Sequence, residues 1–297
     1  MKRALKFLGY ALVALVVLLA AAGSIVYALS SRRLSRTYEV AVPAVAVPAD
    51  AAALARGRHI AETRGCVECH GKDFGGKTVI NAAPIGLIGG TNLTGGRGSM
   101  TRGFTTDDWV RAIRHGVARD GHPLVLMPSI EFSHFSDEDL GCLIAFLNSL
   151  SPVDRDRVPI TVGPVARLLI LTGEIKLAAE HIDHAGLRPA AVAPGVTVEY
   201  GRYLANGCVG CHGESLAGGR IPGGAPDWPP SQNLTPAGDL GKWNEADFLR
   251  TLRTGTRPDG SKLNPVMPIT FGQMNETELK AIWAFLQTVP PVAASAH

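Results

Sequence analysis

The chain has 297 residues, of which 46% are hydrophobic and 19% are charged, a composition that excludes a disordered protein and allows two ordinary domains with an added membrane segment. Its formal charge of +3 comes from the first 36 residues, which hold six Lys and Arg and no acid. The remainder is therefore net negative, and no partner nucleic acid is predicted.

The first predicted element is an apolar helix from Phe7 to Leu29, and its 23 residues contain no charge. At ~1.5 Å per residue it would extend about 35 Å, enough to cross a ~30 Å hydrocarbon core. A cleaved signal peptide is the alternative, but the apolar run exceeds the ~7–15 residues usual for one. We expect a retained membrane anchor in residues 1–36 and a Pro-containing tether in residues 37–49. Three basic residues flank each end of the span, so the charge count alone leaves its orientation open.

Beyond the tether the chain repeats itself. The motif CVECHG at residues 66–71 recurs as CVGCHG at residues 208–213, and each copy is followed, in the same order, by NLT, a charged helical segment, MP and a final apolar helical segment. The repeat predicts two tandem domains, residues 50–152 and 195–292, joined by a linker, residues 153–194.

Each domain is predicted to be all-α, because long alternating strand patterns are missing and three helices can be placed from their ends. The first helix leads into the cysteines, at Asp50 to Glu62 and at Val198 to Asn206. The middle helices are predicted to begin at capping pairs, Thr105 with Asp108 and Asn244 with Asp247, and to end at Gly116 and Gly255. The final helices are predicted to begin at the pairs Ser136 with Asp139 and Asn275 with Glu278.

The paired cysteines allow several interpretations. Zinc would need four ligands in each domain, a redox pair of the thioredoxin type would be expected within a βαβ unit, and structural disulfides leave the adjacent histidine unexplained. Covalent attachment of a c-type haem explains all three residues, since the thiols add to the vinyl groups and the histidine binds the iron. The predicted residues are Cys66, Cys69 and His70 in the first domain and Cys208, Cys211 and His212 in the second.

The second axial iron ligand is predicted to be methionine. Met127 and Met267 stand in matching MP dipeptides, 57 and 55 residues after the histidines of their motifs. Met100 and Met274 have no counterparts and are expected to be packing residues. His115, His122 and His134 remain rival ligands in the first domain only.

Further recurrent residues suggest contacts to the cofactor. Pro84 and Pro226 each lie 14 residues after the motif histidine, and their carbonyl groups could accept a hydrogen bond from its ring; a plain loop proline is the alternative. The recurrent polar residues could hold the haem propionates, or could serve capping and surface solvation instead; they are Asn92, Asn233, Arg114 and Arg253.

Outside the repeated motifs, Cys142 is expected to be a small buried core residue, and His181 and His184 to be ordinary linker histidines. The segment VARLLILTGEIKLAAEHI of the linker is expected to form a short helix that packs on a domain or on the membrane surface. Its longest uncharged stretch is too short to span a membrane.

The motifs CxxCHG and MP, with NLTP and RTGTRPDG in the second domain, resemble the cytochrome c domains of membrane-bound multihaem cytochromes, especially the cytochrome subunits of bacterial alcohol, aldehyde and sugar dehydrogenases. The resemblance covers roughly residues 50–152 and 195–292 and implies two covalently bound haem c groups. One haem would be held by Cys66, Cys69, His70 and Met127, and the other by Cys208, Cys211, His212 and Met267.

An iron with histidine on one side and methionine on the other has no open position, so we expect one-electron transfer and no catalytic activity of the chain itself. The expected location is the bacterial inner membrane, with the haem domains in the periplasm. The expected redox partners are a periplasmic dehydrogenase and a terminal oxidase or soluble cytochrome. Two alternatives are a cytochrome subunit of a terminal oxidase and a dihaem peroxidase or thiosulfate-oxidising enzyme with one open haem.

Overall fold

The computed structural model describes residues 2–293 and is mostly helical; Met1 of the predicted anchor lies outside these residues. The α-helices are α1 Lys2–Leu34, α2 Ala51–Thr63, α3 Cys66–His70, α4 Thr106–His115, α5 Ser129–Phe132, α6 Asp137–Asn148, α7 Pro164–Thr172, α8 Val198–His212, α9 Glu245–Thr254 and α10 Glu276–Leu286. Short 3-10 helices span Ala178–Glu180, Asp239–Lys242 and Ile269–Gln273.

Helix α1 contains the predicted apolar span. Within residues 2–293 it is the one helix long and apolar enough to cross a membrane, and its large hydrophobic side chains are exposed. Its composition and exposure fit a membrane anchor.

The predicted helix ends are confirmed at the middle helices. Thr105 and Asp108 form a reciprocal capping box before α4, as do Asn244 and Asp247 before α9. Gly116 and Gly255 end these helices in the left-handed conformation that glycine adopts without steric cost.

The final helices also begin where the sequence predicts. Ser136 accepts a hydrogen bond from the Asp139 backbone N–H before α6, at 3.1 Å. Asn275 and Glu278 form a capping box before α10. The N-caps thus fix the start of both C-terminal helices.

The prediction of an all-α fold is wrong in part, because the first domain also contains a small antiparallel sheet. Strand β1 Lys77–Ala82 pairs with β2 Gly86–Gly90, and β3 Thr161–Val162 from the linker adds to β2. Strand β1 is almost entirely exposed and β2 has the sequence Gly-Leu-Ile-Gly-Gly, so neither shows the alternation of a half-buried strand.

Two hydrophobic cores lie in the two repeats, and in each the first helix crosses the last. A Cβ atom at Gly57 of α2 would overlap the backbone carbonyl of Cys142 in α6, and one at Gly201 of α8 would overlap that of Ala281 in α10. Glycine is therefore required at both crossings. Cys142 is buried, as expected.

The linker carries the predicted short helix, α7, which packs against the end of α1. Arg167 of α7 donates to the hydroxyl oxygens of Ser30 and Ser31, each at 3.0 Å. Glu180, farther along the linker, forms an ion pair with Arg33. The end of the apolar helix is thus attached to the folded part of the chain.

The two haem-motif domains contact each other directly. His59 of α2 and Glu278 of α10 lie 2.7 Å apart, and the hydroxyl of Tyr203 in α8 donates to Asp139 of α6 at 2.6 Å. These contacts fix one repeat against the other.

Candidate metal centres

The first motif forms a single helical turn, α3, which starts after Gly65 in the left-handed conformation and ends at Gly71 with φ 80°. Because residues three and four apart share a helix face, Cys66, Cys69 and His70 can act on one ligand. The second motif is the last turn of α8 and ends at Gly213 in the same way, with φ 77°.

All four motif cysteines are free thiols, which opposes structural disulfides within the motifs. Burial raises the pKa of Cys66 to about 12 and that of Cys208 to about 11, so both are neutral thiols near pH 7. Among residues 2–293 no group of three His, Cys, Asp or Glu side chains is placed to hold a metal ion. A bare ion therefore lacks a ligand set at either motif.

Each motif histidine is held in one tautomer by a backbone carbonyl. Nδ1 of His70 donates to the carbonyl oxygen of Thr91 at 2.7 Å, and Nδ1 of His212 donates to that of Gln232 at 2.7 Å. Burial lowers the pKa of both rings, so each is neutral and its Nε2 lone pair remains available to a metal.

The predicted acceptors, Pro84 and Pro226, were therefore wrong. The carbonyl of Pro84 accepts from the backbone N–H of Val165 at 2.8 Å, and Pro226 lies in an exposed loop. The true acceptors directly precede the recurrent Asn-Leu-Thr segments, which is the sequence signal that could have identified them.

The prediction that Asn92 binds a propionate is also wrong, because its polar atoms are satisfied by the protein. Its Oδ1 accepts from the backbone N–H and hydroxyl of Thr94, at 2.9 and 2.7 Å, and its Nδ2 donates to the carbonyl of Val153 at 2.8 Å. The contact ties the loop under His70 to the chain that follows α6.

Asn233 makes the same contacts in the second repeat. Its Oδ1 accepts from the N–H and hydroxyl of Thr235, at 2.8 and 2.7 Å, and its Nδ2 donates to the carbonyl of Val292 at 2.8 Å. In both repeats the asparagine holds in place the carbonyl group that orients the motif histidine.

The recurrent arginines differ from each other. Arg114 is buried and bonded to Asp137 and to the carbonyl of Phe135, at 2.8 and 3.0 Å, whereas Arg253 is exposed. Among the described residues Nε of Arg114 is buried without a hydrogen-bond partner, as is Oδ1 of the neighbouring Asp137. Propionate binding by the two arginines remains a prediction.

The methionines separate by burial. Met127 is partly buried and packs against the first core, as Cys66 does, and Met267 is partly buried as well. Met274 is buried in the second core, as expected, but Met100 is 45% exposed, so its predicted packing role is wrong.

The rival histidines have other surroundings. Nδ1 of His115 lies 3.0 Å from Nδ1 of His184, and Nε2 of His184 donates to the carbonyl of Ala179 at 3.0 Å. His184 thus joins the linker to α4, a structural contact that the sequence reading missed. His134 is exposed, and His122 lies 3.2 Å from Asp120.

The helices that lead to both motifs take part in the interface between the two repeats. Helix α5, just after Met127, contacts α8, where the carboxylate of Glu131 lies against Gly210; the 3-10 helix Ile269–Gln273, just after Met267, contacts α2. The segments after the two methionines thus pack reciprocally on the helices that lead to the opposite motif.

These features fit a covalently bound haem in each repeat. Each motif offers two free, partly buried thiols and a neutral histidine with a fixed tautomer, and each repeat adds a methionine beside a packed segment.

Comparison with known proteins gives the same result. Residues 198–290 match the family model "Cytochrome c", and residues 52–147 match "Cytochrome C oxidase, cbb3-type, subunit III". A "Diheme cytochrome c-type" protein of Cereibacter sphaeroides is 30% identical over 272 residues, which cover 80% of this chain and 86% of that protein.

Cytochrome subunits of dehydrogenases are also similar. An "Alcohol dehydrogenase (quinone), cytochrome c subunit" of Gluconacetobacter polyoxogenes is 30% identical over 279 residues, and a "Gluconate 2-dehydrogenase cytochrome c subunit" of Pantoea cypripedii is 28% identical over 282. Each match covers 83% of this chain, but only 58% and 62% of the respective relative. The chain thus spans about three fifths of the length of these subunits.

Proposed function

The chain belongs to the dihaem c-type cytochromes, and on that basis we propose that it is a membrane-anchored carrier of single electrons between a periplasmic dehydrogenase and a terminal acceptor. The protein holds two covalently bound haem c groups. When bound, each haem supplies an iron that exchanges one electron.

The residues that would hold the first haem are Cys66 and Cys69, through covalent attachment, and His70 and Met127, as ligands of its iron. Cys208, Cys211, His212 and Met267 have the same roles at the second. The observation that carries the proposal is the matched histidine geometry, because in both repeats a backbone carbonyl accepts from Nδ1–H and leaves the Nε2 lone pair for a metal.

With histidine and methionine both bound, the iron would have no position left for oxygen, peroxide or substrate. A carrier needs this closure, whereas a peroxidase or a gas sensor needs an open position. The dihaem enzyme therefore requires that one of Met127 and Met267 is not a ligand.

The experiment is the optical spectrum of the reduced protein before and after addition of carbon monoxide. We expect the wild type to ignore the gas, while Met127→Ala and Met267→Ala each bind it at one haem. Met100→Ala is the matched control, since Met100 is exposed, and it should behave as wild type. Carbon monoxide binding by the wild type would contradict the carrier function at that haem.

The location is part of the proposal. Covalent haem attachment of this kind takes place outside the bacterial cytoplasm, so the haem domains would face the periplasm and α1 would hold them at the inner membrane. The names of the relatives support a dehydrogenase as donor. The match of residues 52–147 to an oxidase subunit favours one second candidate, a cytochrome subunit of a terminal oxidase.

Affinity purification from detergent-solubilised membranes separates these candidates. A dehydrogenase that co-purifies and reduces the haems supports the proposal, whereas a copper–haem oxidase without a dehydrogenase supports the second candidate. An α1-deleted form with an added export signal is the control for the anchor and should be released from the membrane.

A further inference from the structure

A cleft of about 620 Å³ opens where α1 leaves its apolar span and meets the linker. We call it the anchor cleft; it is lined by Leu29, Arg32, Arg33, Arg36, Leu171, Glu180 and His181. It lies apart from both haem motifs in sequence, and the proposed electron transfer makes no use of it.

The walls of the anchor cleft are held together by specific contacts. Arg33 pairs with Glu180, with Nε 3.1 Å from Oε1, and also donates to the carbonyl of Ile170. The guanidinium of Arg167 lies over the ring of Tyr27, 4.2 Å from its centroid, and bonds Ser30. The cleft is therefore part of the fold and does not arise from chance proximity of surface loops.

Its position corresponds to the lipid headgroup layer. The apolar span ends at Leu29, so Arg32 lies three residues, or about 4.5 Å of helix rise, beyond it. Helix α7 beside it exposes Val165 and Leu168, by 40% and 47%, which extends the apolar surface of α1 sideways. Such a short helix with an exposed apolar face suits the membrane interface.

The charge of the anchor cleft is unbalanced. Glu180 neutralises Arg33, but Arg32 and Arg36 are exposed and, within residues 2–293, neither forms a salt bridge. Arg36 lies over the ring of Tyr38 at 5.0 Å from its centroid, a contact that leaves its N–H groups to bind an anion. Two cationic side chains therefore border a cleft whose apolar lining is Leu29 and Leu171.

Basic residues at the non-cytoplasmic end of a span are unusual, because topology favours Lys and Arg on the cytoplasmic side. This chain has three at each end of its span. A ligand that matches two cationic side chains beside apolar ones, in the headgroup layer of the membrane, carries a phosphate next to an acyl chain.

We propose that the anchor cleft binds the headgroup of an anionic phospholipid, with Arg32 and Arg36 on the phosphate and Leu29 and Leu171 against the first carbons of the acyl chain. This inference rests on the proposed location, in which α1 spans the membrane. The bound lipid would fix the orientation of the haem domains at the membrane surface.

The test uses the full-length protein with both haems, delipidated in detergent, and counts bound lipid by native mass spectrometry. Phosphatidylglycerol should bind and zwitterionic phosphatidylcholine should not. Arg32→Gln with Arg36→Gln should weaken phosphatidylglycerol binding roughly 30-fold, from about fivefold per basic residue near an anionic lipid. Lys2→Gln with Lys6→Gln, at the other end of α1, is the matched control and should bind as wild type.

Equal binding by the Arg32/Arg36 double variant and the control, or equal binding of both lipids, would overturn the proposal. Release of the lipid by inorganic phosphate alone would show a site for free phosphate and would also overturn it. The carbon monoxide response of the same samples reports the electron-carrier function separately, because it depends on Met127 and Met267 and not on the lipid.

Discussion

The guanidinium group of Arg64 donates a hydrogen bond from Nη1 to the backbone carbonyl of Leu204, at 2.8 Å, across the interface of the two repeats. Arg64 precedes Cys66 by two residues, and Leu204 lies one helical turn before Cys208. The positive charge of Arg64 opposes the increase that burial causes in the pKa of both Cys66 and Cys208. One side chain thus acts on both haem motifs.

Arg64→Gln should lower the reduction potentials of both haems by tens of millivolts, because a positive charge nearby favours the reduced iron. Arg64→Lys keeps the charge and should keep most of the potential. Arg58→Gln on the exposed side of α2 is the control. A redox titration followed by haem absorbance measures the effect, and unchanged potentials in Arg64→Gln would rule out this role.

The pair His59 and Glu278 should make the domain interface sensitive to pH. The hydrogen bond that the protonated His59 ring donates to the carboxylate of Glu278 raises the pKa of His59 against the opposing effect of burial. The stabilisation is therefore present in full below the unfolded pKa of about 6.5 and is lost as the pH rises through the raised folded value.

Thermal unfolding of the full-length protein, at a pH below the unfolded pKa of His59 and at a pH above its raised folded pKa, measures the loss of stability. We expect this loss to be about 1 kcal/mol or less, because the pair is partly exposed. His59→Gln should remove the difference in stability between these two pH values. His122→Gln, near the surface beside Asp120, should retain it. If His59→Gln keeps the wild-type profile, another group is responsible.

Substitution at the helix crossings should destabilise each domain separately. Gly57→Ala and Gly201→Ala each place a methyl group against a backbone carbonyl, and we expect a cost of about 1–3 kcal/mol although alanine favours an isolated helix. Gly95→Ala is the control, because a Cβ there meets no atom within 4 Å. Urea unfolding followed by haem absorbance gives the free energies; equal stability of Gly57→Ala and Gly95→Ala would contradict the close approach.

Removal of the asparagine side chain that holds the loop under a motif histidine should change the potential of that repeat's haem and not of the other. Asn92→Ala removes the closer of two donors to the carbonyl of Val153 and should cost about 1–3 kcal/mol, with a shift in the potential of the first haem only. Asn233→Ala should act on the second haem, and less strongly, since Asn233 is less buried. Asn81→Ala, at an exposed position of β1, is the control. A shift of both potentials by either variant would show that the loops are coupled.

Local sequence patterns allowed much of this molecule to be predicted. The motif cysteines and histidines, the capping pairs such as Thr105 with Asp108, and the glycine ends at Gly116 and Gly255 depend on residues at most a few positions apart, and their chemistry is specific to residue type. The apolar span of α1 likewise follows from composition alone.

Interactions with backbone carbonyls could not be predicted in this way, because every residue has such a group. The tautomers of His70 and His212 depend on Thr91 and Gln232, although Pro84 and Pro226 had the more suggestive spacing. The glycine-rich hairpin of β1 and β2 lacks a periodic pattern, and its third strand, β3, comes from the distant linker.

The sequence by itself determined the two haem-binding motifs and their duplication, because covalent and coordination chemistry require particular side chains at fixed spacing, and its composition determined the apolar helix α1. Only the tertiary structure decided how the two motifs face each other through Arg64 and Leu204, and how α1 meets the linker at Arg33 and Glu180. Those arrangements depend on packing between residues about 140 positions apart, where shape and backbone position select the partner.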